Sequence, residues 1–304
     1  MTLFFLFMGW RILYIEQANS MKLYLDNIKV TNDLSEVTIP LSDIHTIVID
    51  NQTVTITVPL INKCSEYNVN LVFCSLEHMP KAFLNPLNGN YQTPSILKKQ
   101  IEWSQKSKDY IWQKIVINKI DNQNNLLKSL NKNSEVINRI NDFTKEVDIG
   151  DSGNREGLAA KMYFRELFGP DFKRFNDDVI NAGLNYGYAI LRSQISKTII
   201  AKGLNPNIGI HHIGYDNFFN LSDDIIEVFR PIIDEYVYKM MNESIIFTKE
   251  NRLGLVKQTS CDVYINGTKQ TLFNAIEIYV ERIMFCFESG DIDAYLPIRL
   301  IYEL

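Results

Sequence analysis

Near residue 95 the spacing of apolar residues changes from every second position to every third or fourth, so neither one sheet nor one helical bundle can accommodate the whole chain. Before that point the pattern is that of strands. Arg11 to Ile15 is one; Met21-Lys22-Leu23-Tyr24-Leu25 alternates, Asp26-Asn27 supplies turn chemistry, and Ile28-Lys29-Val30 returns. Ile44 to Ile49 (IHTIVI) and Val54 to Val58 (VTITV) are rich in β-branched residues, as strands are. Pro59 opens a short helical run through Tyr67, and Asn70 to Cys74 (NLVFC) reads as one more strand. Residues 80–95 hold three prolines with an Asn-Gly pair and read as a connecting loop. The expected class is α+β, and 304 residues is a length that suggests two domains. The expected division is a strand-rich N-terminal domain over 1–82, a linker over 83–95 and a mostly α-helical domain over 96–304.

In the helical part, Asn176 with Asp177 and Asp178 gives a cap and first-turn acids to a long helix whose stripe runs Ile180, Leu184, Tyr188, Leu191, Ile195, Ile199. Gly203 ends it and Pro206 prevents its resumption. A second helix is expected from an N-cap at Ser222 to about Asn242, kinked at Pro231, whose missing amide leaves the carbonyl of Glu227 without its helical partner. A hairpin is expected to turn at Asn266-Gly267. Within 96–120 six lysines (98, 99, 106, 108, 114, 119) outnumber two acids, which reads as a solvated helix face or one turned toward phosphates.

Several function classes have no support. HExxH, GxSxG, Walker A and GxGxxG patterns are absent. The four cysteines form no CxxC pair, so zinc spacing is lacking and nothing suggests an oxidising compartment. The apolar opening lacks a basic n-region and an A-x-A-like cleavage site, and it is shorter than the roughly 20 residues of a membrane span. Residues 1–7 read as an extension upstream of a more natural start at Met8, and the expected location is the cytoplasm, with no membrane partner. The net charge of −5 weighs against nucleic acid unless the basic residues gather on one face.

Two segments carry chemistry. Glu156 heads a stripe of Ala159, Ala160, Tyr163 and Leu167 at helical spacing, so it is either a charge aimed inward or a first-turn acid capping its helix. His211-His212 precedes a helix with Asp223, Asp224, Glu227 and Arg230, which is either a solvated face or half of a metal site. Adjacent histidines in extended chain point opposite ways, so one at most reaches a shared site. Two carboxylates about 4 Å apart repel by roughly 4 kcal/mol at an effective dielectric of 20, and so share a proton or recruit a cation. Carboxylates and water suit Mg²⁺ and Mn²⁺, and an imidazole in the set tilts the choice toward Mn²⁺.

GNREGLAAKMYF (153–164), GLNPNIGIHH (203–212) and NLSDDIIEVFRP (220–231), in this order, resemble the CRISPR adaptation integrase family, the first-numbered of the CRISPR-associated proteins. MPKAFLNP (79–86) followed by KKQIEW (98–103) is similar to the form that accompanies type II effector systems. The resemblance implies that the helical domain is catalytic and holds one divalent ion, Mg²⁺ or Mn²⁺, on Glu156, His212 and Glu227, with His211 a non-ligand neighbour. It implies a transesterification joining the 3′-hydroxyl of a foreign DNA fragment to the CRISPR repeat, and a homodimer acting on double-stranded DNA with a small partner protein of the same operon. Arg155, Lys161 and Arg230 are near enough in sequence to meet phosphates, and Tyr215 to stack on a splayed nucleotide, while core packing suits Tyr163 better. Two rival readings remain: a stand-alone metal-dependent nuclease on branched or single-stranded DNA, and a non-catalytic DNA-binding adaptor.

Overall fold

The computed structural model describes residues 11–86, 89–241 and 246–302, so the expectation about residues 1–7 lies outside the described residues. The chain forms two compact units, Met1–Asn90 and Tyr91–Leu304.

The first unit contains β1 (Arg11–Ile15), β2 (Ser20–Tyr24), β3 (Asn27–Thr31), β4 (Glu36–Pro40), β5 (Ile44–Ile49), β6 (Thr55–Ile56), α1 (Val58–Glu66), β7 (Asn70–Cys74) and β8 (Pro80–Phe83). One sheet has the order β1-β5-β7-β8 and the other β4-β3-β2-β6. β1, β5 and β7 run parallel, and the central β5 is buried along its whole length, which is why IHTIVI is apolar throughout rather than alternating. A core of Leu13, Met21, Ile28, Ile39, Ile47 and Leu60 draws on both sheets and α1.

Three local expectations shift here. The first hairpin turns at Leu25-Asp26, both at positive φ (44° and 55°), because Tyr24 pairs with Asn27 across a two-residue loop. Val54 to Val58 yields only the two residues of β6, since Pro59 already sits in the first turn of α1. The expected loop after residue 80 begins instead with β8, an antiparallel edge strand that accommodates Pro80 as its first residue.

The second unit contains α2 (Thr93–Ile101), α3 (Gln105–Ser129), α4 (Ser134–Glu146), α5 (Arg155–Phe168), α6 (Val179–Ala201), α7 (Asn220–Ile226), α8 (Arg230–Met241), α9 (Lys249–Gln258), β9 (Asp262–Ile265), β10 (Thr268–Thr271), α10 (Leu272–Ser289) and β11 (Ile298–Leu300). α6 begins on a cap from Asp178 to the amide of Asn181 at 2.8 Å, and its stripe of Leu184, Leu191, Ile195 and Ile199 is fully buried. Gly203, at φ 82°, closes it. The hairpin turns at Asn266-Gly267, both at positive φ as a two-residue turn requires. β11 adds a third strand to β9 that is too short to leave a periodic signal.

The single kinked helix expected from Ser222 is two helices. α7 starts earlier, at Asn220, and Ser222 is no cap: it is fully buried with its hydroxyl 2.8 Å from that of Ser196 on α6. α8 restarts at Arg230-Pro231, where a proline in the first turn has no amide to leave unpaired. Glu227 therefore sits on a turn between two helices. No helix among the described residues is long and apolar enough to cross a membrane.

Candidate functional site

α3, α5, the segment before α7 and the α7–α8 turn bring the chemistry together. Glu156 stands in the first turn of α5. Asp151, itself buried at φ 53°, accepts the amides of Arg155 (2.8 Å) and Glu156 (3.0 Å), and Asn154 accepts that of Gly157 (3.2 Å). Three of the amides that a helix start leaves unpaired are thereby satisfied. A Cβ on Gly157 would lie 2.6 Å from the Asn154 side-chain oxygen, so any larger residue beside Glu156 displaces the capping side chain.

His212 is fixed by Asp224, which is fully buried in α7. One carboxylate of Asp224 accepts the amides of Ile210 (2.5 Å), His211 (3.2 Å) and His212 (3.0 Å) and also meets His212 Nδ1 at 2.7 Å. The hydrogen bond to Asp224 raises the His212 pKa above its ordinary value, against the opposing effect of burial. With Nδ1 occupied, Nε2 is the nitrogen left for a ligand. Gly209 permits the close approach, since a Cβ there would come within 2.2 Å of the His212 carbonyl oxygen. The neighbouring His211 stacks on Trp112 of α3 at 4.2 Å, while His212 meets the same ring edge-on at 5.8 Å.

Glu227 is fixed through its own turn. Asn122 of α3 donates to the carbonyls of Val228 (2.9 Å) and Ile298 (3.1 Å), and Asn118 brackets Ile298 with bonds of 2.7 and 2.8 Å. Arg230 Nη2 lies 3.0 Å from Glu227 Oε1, with its guanidinium over the Tyr188 ring at 4.6 Å. Burial alone would raise the Glu227 pKa, but Arg230 and Lys119 overcome it and hold the carboxyl at about 2. Beneath Arg230, the fully buried Asp234 accepts the hydroxyls of Tyr163 (2.8 Å) and Tyr188, and burial pushes its pKa up to about 6. Tyr163 is wholly in the core.

The two glutamates meet on Lys119. Its ammonium pairs with Glu156 Oε1 and Glu227 Oε2, and its side chain is only 7% exposed. Burial disfavours the charged ammonium, yet Glu227 and Glu156 outweigh it and keep its pKa above the usual value. Lys119 is thus neither solvated nor free to face a phosphate, unlike Lys98 and Lys106, which are exposed. The signal was in its spacing: Trp112, Ile115, Val116 and Lys119 share one buried face of α3.

The remaining candidates are dispersed. Lys161 and Tyr215 are exposed, Arg155 is half-buried with its Nε 3.0 Å from Glu146, and Arg230 belongs to Glu227. Asp223 is held by Asn217 at 2.8 Å and faces Arg192 at 3.6 Å. With the side chains as they stand, no three His, Cys, Asp or Glu groups among the described residues are gathered closely enough to hold a metal ion. The donor chemistry nonetheless fits one: two ionised carboxylates from separate elements share a stand-in cation, and His212 is oriented by a carboxylate as ligating imidazoles are.

Residues 13–266 match the family described as CRISPR associated protein Cas1. The CRISPR-associated endonuclease Cas1 of Neisseria meningitidis serogroup C (strain 8013) is 36% identical over 227 residues, which cover 75% of this chain and 74% of that protein. A solved structure of a casposase bound to integration product superimposes with a TM-score of 0.71 at 17% identity, covering 93% of this chain and 92% of that one. A chain of a Cas6-RT-Cas1–Cas2 complex gives a TM-score of 0.74 at 17% identity over 99% of this chain and 37% of that one. At these identities the two structures establish the fold.

Proposed function

Because the chain belongs to the Cas1 family of CRISPR-associated proteins, we propose that it is a DNA endonuclease and integrase of CRISPR adaptation that joins 3′-hydroxyl ends of foreign fragments to the CRISPR repeat. The observation that carries this reading is the convergence of Glu156 and Glu227 on one cation in the second unit, which also holds His212 clamped by Asp224. The reaction is a transesterification: the attacking 3′ oxygen bonds to phosphorus as the repeat's own 3′ oxygen leaves, so one phosphodiester replaces another and no external energy source is needed.

Glu156, Glu227 and His212, through Nε2, are the residues that would hold Mg²⁺ or Mn²⁺. Such an ion, when bound, supplies neutralisation of charge on the scissile phosphate and orientation of the attacking oxygen. Arg230 fixes Glu227 by holding Oε1, which leaves Oε2 for the shared cation. Asp224 keeps His212 in one tautomer and one orientation. Lys161 and Tyr215, both exposed, are available to a phosphate backbone and to a splayed base, whereas Arg155 and Arg230 are held by Glu146 and Glu227 and would have to release them to meet a phosphate. The assembly expected is a homodimer on double-stranded DNA with a small Cas2-like partner; likeness to a chain of a Cas6-RT-Cas1–Cas2 complex supports the partner.

The test is strand transfer of a short 3′-hydroxyl duplex into a repeat-containing plasmid with Mn²⁺ and the cognate small partner. Wild type should give joined products, and Glu156→Ala, His212→Ala and Glu227→Ala should each abolish them. Cleavage without joining would move the assignment to a stand-alone nuclease, and binding without chemistry in wild type to an adaptor.

A further inference from the structure

The two glutamates of the site already carry a cation of the chain's own. Lys119 is delivered from α3, whose neighbouring Asn118 and Asn122 are bonded to Ile298 and Val228, so the helix is locked against the turn that holds Glu227. The lysine stem is flexible, but its base is not. Glu156 and Glu227 contribute two negative charges, and Lys119 and Arg230 two positive ones, so this cluster is neutral without any metal ion. A divalent ion brought to the same carboxylate oxygens would face the ammonium at close range in a site where burial weakens screening. The oxygens that accept hydrogen bonds from Lys119 are also the ones a metal ion would need.

We propose that Lys119 is a resident counter-ion that competes with the divalent ion for Glu156 and Glu227 and swings off both carboxylates when the metal binds. This rests on the metal reading of the site and adds a residue that sets how readily the site fills. Metal-free protein keeps its paired carboxylates compensated, and the ion has to displace the ammonium before the site is loaded.

The experiment uses chelator-treated full-length wild type and Lys119→Met, with Mn²⁺ affinity measured by calorimetry and melting followed in EDTA and in saturating Mn²⁺. Lys119→Met should bind Mn²⁺ about tenfold more tightly or better, since a competing charge is gone. It should melt below wild type in EDTA, with the gap narrowing once Mn²⁺ is present. Equal affinities would overturn the inference while leaving the metal reading standing, as would a melting gap that Mn²⁺ leaves unchanged. Failure of both proteins to bind Mn²⁺ would remove the inference and the metal reading together. A structure of wild type with Mn²⁺ decides the matter without a variant: Lys119 Nζ should have left both glutamates, and its persistence there beside the ion would overturn the proposal.

Discussion

One buried carboxylate, Asp224, organises the segment that ends in His212, accepting three successive amides and the imidazole. Asp224→Asn keeps the shape and removes the charge. The midpoint of His212, followed by NMR titration, should fall back toward the ordinary histidine value of about 6.5. The sign is set by the raised value in the folded protein. The charge part of the pairing is fully present below the unfolded pKa and is lost as pH rises through the folded one, so wild type and variant should converge in that part of their stability above it. Metal affinity or joining activity should drop about 10- to 100-fold, the usual effect of losing a partner of a ligating histidine. The sequence singled out Glu156, His212 and Glu227 as candidates through their segments, because each sits in a distinctive run of neighbours. Asp224 was visible only as one of three nearby acids, since its role depends on the chain folding back from Gly209 onto α7, which no local spacing reveals.

At the scale of elements, the start of α5 is the most demanding piece of local structure. Gly157→Ala would push a methyl group into the Asn154 cap at 2.6 Å. The expected cost is about 1 kcal/mol, that of a lost N-cap, measured by denaturant unfolding. Joining should fall further than this loss explains, because Glu156 is carried by the same turn. A variant with wild-type stability and full activity would contradict this account of the turn. Elements with long periodic stripes were readable: α6 follows its stripe closely, although its cap is Asp178 rather than Asn176, which leaves no acid in its first turn. The break between α7 and α8 was read only as a kink, because Pro231 marks where a helix is interrupted and does not say that the chain starts a fresh one. β8 and β11 escaped for another reason. Each is a short strand whose existence depends on an edge made elsewhere in the sequence, Val72–Phe83 pairing for one and Asn118 with β9 for the other.

For the whole molecule, the change of apolar period near residue 95 was enough to foretell a strand-rich part followed by a helical one, because sheets and helices bury their faces at incompatible spacings. The sequence could not show that a lysine from the first long helix of the second unit would meet glutamates 37 and 108 positions further on. That contact is a product of packing, and the surrounding lysines disguised it. Since each unit closes a core of its own, residues 91–304 produced alone should melt cooperatively with a strongly helical circular dichroism spectrum. A broad, non-cooperative melt would argue that the first unit is needed to complete the second. The bonds from Asn118 and Asn122 to Ile298 carry a consequence in time as well as in space. During synthesis the ribosome releases α3 long before residue 298 exists, so the buried amides beside Lys119 wait for the last strand before they find their partners. A site framed in that order is finished only after residue 298 has been made, and a product truncated before it carries Glu156, His212 and Glu227 without the frame that sets them.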